Sequence, residues 1–181
     1  MLIRNIFTLF LINLVGLTTS NAQTGFNWEK TDTISKNKSQ LYSDTKLFIS
    51  KYWKSAQDVI QNDDKDGGII IVKGKNIQKI SHSVCTYTYV YSYTAKFMFK
   101  DGKYKFTLGD VHCEDAYPIG CSYSIAKIEP FDDLYNKVQT TFTTGTLPEK
   151  KAKQLMSVLK GELQQIYQNY LVDIAQKNSD W

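Results

Sequence analysis

The chain has 181 residues, 42% of them hydrophobic and 22% charged, with a formal net charge of +4. These are the proportions of one globular domain, and they exclude a disordered tail or a bundle of membrane helices. Arginine occurs once, at Arg4; bidentate recognition of guanine or phosphate relies on the guanidinium fork, so no nucleic-acid partner is expected of a chain whose other basic side chains are lysines.

The first 22 residues have the layout of a secretory signal peptide: a charge at Arg4, an apolar run from Ile6 to Leu17, and the small residues Ser20 and Ala22 around a cleavage point. An apolar core of about twelve residues is short of the roughly 20 that a bilayer crossing needs, so no membrane span is expected in the mature chain. Residues 1–22 are therefore read as a leader and residues 23–181 as a single α+β domain, exported to the periplasm or beyond the cell.

Phe26, Trp28 and Ile34 alternate with polar residues and predict a first strand. Ser39 offers an N-cap, and Leu41, Tyr42, Thr45, Phe48, Ile49, Tyr52 and Trp53 recur at three- and four-residue steps, predicting a helix over about 39–55. Gln61 to Gly68 reads as a polar turn. Within it, Asn62, Asp64, Asp66 and Gly67 copy the opening of a calcium loop, but Lys73 stands at the twelfth position, where a bidentate glutamate is needed. An acidic turn is expected there and no metal site. Ile69 to Val72 then form a short apolar strand.

From Val84 to Lys100 the chain alternates, placing Cys85, Tyr87, Tyr89, Tyr91, Tyr93, Ala95, Phe97 and Phe99 on one face. Asp101-Gly102 is a preferred type I′ turn, so Lys100 should face Lys103, Phe99 Tyr104, Phe97 Phe106 and Ala95 Leu108. Both strands then turn one aromatic face inward, as a consistent register requires. Ile119, Cys121, Tyr123 and Ile125 predict a further strand ending near Pro130, followed by a loop over residues 131–145. Thr146 and Glu149 form a capping box, and Ala152, Leu155, Leu159, Leu163, Ile166, Tyr170 and Ile174 mark one stripe of a long helix. A helix of this length spans on the order of 40 Å, enough to cross a sheet. The expected fold is β-α-β(4)-α: a twisted antiparallel sheet with both helices on one face.

Several of these features resemble a bacterial family. Leu41-Tyr42, Lys54-Ser55-Ala56, Asp58-Val59-Ile60, Asp63-Asp64-Lys65, Gly74 and Lys100-Asp101-Gly102-Lys103-Tyr104 are similar to an exported domain of unknown function with a TATA-binding-protein-like fold. The likeness covers roughly residues 26–112, and the C-terminal helix by topology alone. It implies a fold and no chemistry, since its motifs are turn and packing residues.

Three cysteines, Cys85, Cys113 and Cys121, allow one disulfide in an oxidising compartment. The short loop between Cys113 and Cys121, with a turn at Pro118-Gly120, makes that pair the expected bridge; Cys85, opposite residue 118, is the alternative partner for Cys121. No Cys/His set has zinc spacing, and no cofactor is expected.

Extending the hairpin register sets Tyr93 opposite Asp110, Tyr91 opposite His112 and Tyr89 opposite Glu114. If the parity holds, Tyr89, Tyr91, Tyr93, Asp110 and His112 line a pocket mouth suited to a small polar-aromatic or sugar-like ligand. A single bulge between 90 and 96 would instead send the set to the surface. Two functions stay in play. One is a non-catalytic binding or interaction domain of the cell envelope, whose partner is a small molecule or an envelope protein. The other is a hydrolase or transferase with a site assembled from dispersed residues.

Overall fold

The computed structural model describes residues 26–82, 85–119 and 149–176. They form β1 (Trp28–Thr33), α1 (Lys38–Tyr52), α2 (Ala56–Val59), β2 (Ile60–Asp64), β3 (Ile69–His82), β4 (Cys85–Lys100), β5 (Lys103–Ile119) and a long helix, α3 (Glu149–Gln176). The strands make one antiparallel sheet in the order β1-β5-β4-β3-β2. Both α1 and α3 pack on one face of this sheet, α1 against β4 and α3 against β3 and α1.

The turn-proximal half of the hairpin has the register read from its turn: Lys100 pairs with Lys103, Phe99 with Tyr104, Phe97 with Phe106 and Ala95 with Leu108. Its inward residues are buried, and Tyr170 of α3 lies among them, its ring centroid 5.0 Å from Phe97, 5.2 Å from Phe48 and 5.6 Å from Tyr104. Rings in such edge-on contact add about 0.5–1.5 kcal/mol per pair beyond the area they bury. The Tyr170 hydroxyl meets Thr45 Oγ1 of α1 at 2.9 Å, so its one polar atom is satisfied inside the core.

Elsewhere the elements depart from the sequence reading, which also lacked the short α2. Asn37, not Ser39, caps α1: its Oδ1 accepts from the Gln40 amide at 2.9 Å, while Gln40 Oε1 accepts from the Asn37 amide at 2.9 Å. The expected polar turn overlaps β2, an edge strand whose residues after Ile60 are exposed and which therefore lacks apolar alternation. Past Val72, β3 continues for ten residues, with Lys73, Lys75 and Lys79 on the face opposite the helices. Ile119, expected to begin a strand, ends β5. The expected leader, Cys121 with the rest of that expected strand, the expected 131–145 loop and Thr146 of the expected capping box lie outside the described residues.

Burial of the phenols has a pH consequence. Tyr89, Tyr91, Tyr104 and Tyr170 are all held well above the ordinary phenol range, chiefly because burial penalises the phenolate. A raised pKa contributes stability that is complete below the unfolded value, about 10, and is lost as pH rises towards the folded values. In an alkaline titration, phenolate absorbance from these four should therefore appear together with loss of the near-UV circular dichroism. Ionisation well ahead of that loss would contradict their burial.

Candidate functional site

The structure separates the five residues expected at a pocket mouth. Asp110 adopts φ 50 and bulges out of β5, so beyond it Ser92 faces His112 and Tyr91 faces Cys113; after a second irregularity Tyr89 faces Ala116. The bulge lies on β5, so β4 keeps its parity and Tyr89, Tyr91 and Tyr93 stay buried. On β5, Val111 and Cys113 replace Asp110 and His112 on the inner side. Asp110 is exposed and His112 half-buried on the open face of the sheet. The expected shared mouth for all five is corrected accordingly: of the five, the structure brings the three tyrosines together on the inner side, and Tyr93 lines a groove.

That groove lies where the end of α1 meets β3 and α3, holds about 430 Å³, and includes Tyr52, Trp53, Asn76, Tyr93, Glu162 and Gln165 in its lining. Its construction begins with Gly74. A Cβ there would sit 2.4 Å from Tyr93 Cζ, so the Tyr93 ring lies over the strand only because β3 has no side chain at that point. The Trp53 indole N–H donates to the Tyr93 hydroxyl at 3.2 Å, and Tyr52 packs edge-on to Trp53 with centroids 4.7 Å apart. Burial, partly offset by the indole, pushes Tyr93 up to about 12. The chain then leaves α1 through Lys54 at φ 62, a left-handed conformation that few non-glycine residues adopt. Across the groove, Glu162 of α3 accepts from Asn76 Nδ2 at 2.6 Å and from Gln78 Nε2. Burial, and then the Glu162 charge, raise the Tyr52 phenol. The lining thus offers ring faces on one side and fixed amide and carboxylate groups on the other. In the sequence, Tyr52 and Trp53 read only as helix stripe, Gly74 only as one of the residues that carry the family resemblance, and Glu162 was not singled out; an isolated glycine in an extended run is the local signal that could have marked the close approach.

Gly74→Val is expected to displace Tyr93 and lower stability by about 2 kcal/mol, in the range of other overpacked sites. Unchanged melting, with the Trp53 indole proton unshifted in NMR spectra, would show that the ring has room to move.

The open face carries a polar cluster of another kind. Lys75 Nζ lies 2.5 Å from Glu114 and Lys73 Nζ 3.9 Å away. Lys75 above all, with the Ser92 hydroxyl contributing, holds the Glu114 carboxyl below its ordinary range. The Ser92 hydroxyl is thereby engaged with a carboxylate rather than poised on an imidazole. Cys113 keeps a buried thiol, which donates to the Asp115 carbonyl at 3.4 Å. The expected Cys113–Cys121 bridge is therefore corrected: the bulge at Asp110 turned Cys113 from the outer face into the core. In the acidic turn, Asp64 Oδ1 accepts from the Gly67 amide at 2.7 Å, the local turn that its composition predicted.

Residues 29–114 match the family model described as a domain of unknown function (DUF4468) with TBP-like fold. The stretch from β1 to the middle of β5 thus carries this family's pattern, the same one that its turn and packing residues resemble. Two crystal structures share the fold. A DUF4468 family protein from Bacteroides ovatus superposes with TM-score 0.55 at 13% identity, over 84% of this chain and 87% of that one. A TBP-like protein from Parabacteroides distasonis gives 0.52 at 10% identity, over 82% and 94%. No curated protein matches the chain.

Proposed function

We propose that this domain is an exported, non-catalytic binding module of the bacterial cell envelope, and that it takes a small, polar, sugar-like ligand in the groove between α1, β3 and α3. The observation that carries the reading is the juxtaposition of Trp53, Tyr52 and Tyr93 with Glu162 and Asn76 across one concavity. Aromatic faces cover the apolar face of a ring, and amide and carboxylate groups bond its hydroxyls. The groove's lining includes no serine, threonine or cysteine, and its one carboxylate, Glu162, is tied up by the Asn76 and Gln78 amides, which favours binding over the hydrolase or transferase alternative. Titration with a panel of mono- and disaccharides, followed by tryptophan fluorescence and NMR, tests the reading. Saturable binding by at least one sugar, weakened tenfold or more by Trp53→Ala and by Glu162→Gln, is expected. Silence across the panel, or affinity that survives both substitutions, would overturn it.

Export rests on the leader-like first 22 residues, and protein recovered from the cell envelope should begin at Gln23. With Cys113 held as a core thiol, we infer that Cys85 is the partner of Cys121. A non-reducing peptide map should join those two segments, and a link through Cys113 would refute it.

A further inference from the structure

The open face of the sheet holds a second cleft, remote from the aromatic groove. It lies at the turn end of the hairpin, encloses about 350 Å³, and is floored by Ile69 and Met98 with Lys100, Lys103 and Lys105 around it. Ile69 and Met98 are paired positions on adjacent strands, so their side chains stand side by side on a face that no described element covers. Lys100 and Lys103 are also directly opposite each other. Like charges in that position destabilise a sheet, so the pair works against the fold unless something anionic joins it.

Among the described residues, the carboxylates near this end of the sheet do not serve that purpose. Glu29 is engaged by Lys105 at 2.6 Å, Asp101 accepts from the Lys38 amide at 2.7 Å, and Asp64 accepts from Gly67 at 2.7 Å. Lys100 and Lys103 have no acidic partner among the described residues. Apolar floor and unneutralised cations are thus adjacent, with separate roles for a tail and a head.

We propose that this cleft seats a single-chain anionic amphiphile of the fatty-acid class, its alkyl tail along Ile69 and Met98 and its carboxylate between Lys100 and Lys103. Lysine suits this head: a compact ammonium on a long apolar stem lies along the tail and meets the carboxylate as a point charge. The stems of Lys100, Lys103 and Lys105 also extend the apolar surface beyond the two floor residues.

The test uses the full chain, labelled at Met and Ile methyl groups and titrated with dodecanoate below its micelle concentration. Parallel titrations use acetate, 1-decanol and phosphatidylglycerol vesicles. Saturable dodecanoate binding with shifts centred on Met98 and Ile69 is expected, at least tenfold tighter than decanol, with no saturable response to acetate. The double variant Lys100→Gln, Lys103→Gln should bind dodecanoate at least tenfold more weakly while melting no lower than the parent, because it removes a repulsive pair. If it melts lower, Met98→Glu, which puts a like charge on the floor, takes its place with the same tenfold loss expected. Equal affinity for decanol, shifts elsewhere on the protein, undiminished binding by the variants, or a response to vesicles alone would each overturn the proposal.

Discussion

Truncating Tyr170 to alanine is expected to cost about 3–5 kcal/mol, the range for removing a large aromatic ring from a packed core. Its melting temperature should fall by roughly 10 °C or more for a domain of this size. The ring contacts Phe48 of α1, Phe97 of β4 and Tyr104 of β5, so it ties α3 to both α1 and the β4–β5 hairpin. Its removal leaves a cavity that rigid aromatic neighbours on the sheet cannot collapse to fill. Tyr170→Phe separates the two contributions: it keeps the ring and deletes only the 2.9 Å bond with Thr45, at a cost of about 1 kcal/mol. Thermal and urea unfolding of the pair measure both. A loss below about 1.5 kcal/mol in the alanine variant would mean that α3 is not seated on the sheet by this ring.

Lys36→Met should produce the second large effect. Lys36 has a side chain only 5% exposed, and its Nζ reaches Asp44 Oδ2 at 2.7 Å and the Ile174 carbonyl at 2.5 Å. No basic residue occupies the last turn of α3, so a lysine from the β1–α1 connection supplies the cation that the carbonyl end of a helix favours. Methionine preserves the packing of the stem but removes the ammonium that Asp44 and the Ile174 carbonyl share. Breaking one side of a buried pair is strongly destabilising, and a loss of about 3 kcal/mol is expected. Adding Asp44→Leu should recover part of that loss, because the carboxylate that faced the ammonium goes with it; a double-mutant cycle reads the coupling directly. Additive losses from the two substitutions would contradict it.

Much of this architecture was legible before any coordinates. Strand parity and the Asp101-Gly102 turn were enough to align Phe97 with Phe106 and Ala95 with Leu108, because local turn chemistry and burial demand the same register. Legibility stopped at Asp110. An aspartate in an otherwise alternating strand gives no notice that it will take a left-handed backbone, and that one residue moved His112 outward and Cys113 inward. β2 was hidden for a different reason. As a polar edge strand it is specified by hydrogen bonds to Ile69 through Val72 of β3 and not by any pattern of its own. Of the groove's residues, Tyr93 alone had been read as a site residue; the approach of Trp53 and Glu162 to it depends on how α1 and α3 pack across the sheet, which no local spacing encodes.

The position of α3 along the chain bears on how the protein comes to be folded. The aromatic face of β4 and β5 is complete once residue 119 has been made, yet the helix that covers it begins at residue 149. During synthesis, Phe97, Tyr104 and Phe106 must wait only partly covered, with α1 beside Phe97, while the intervening segment emerges. Domains are most prone to aggregate while such a surface is exposed. A nascent chain stalled between these points is thus a natural client for a holding chaperone, and release should coincide with the arrival of the segment that contains Tyr170.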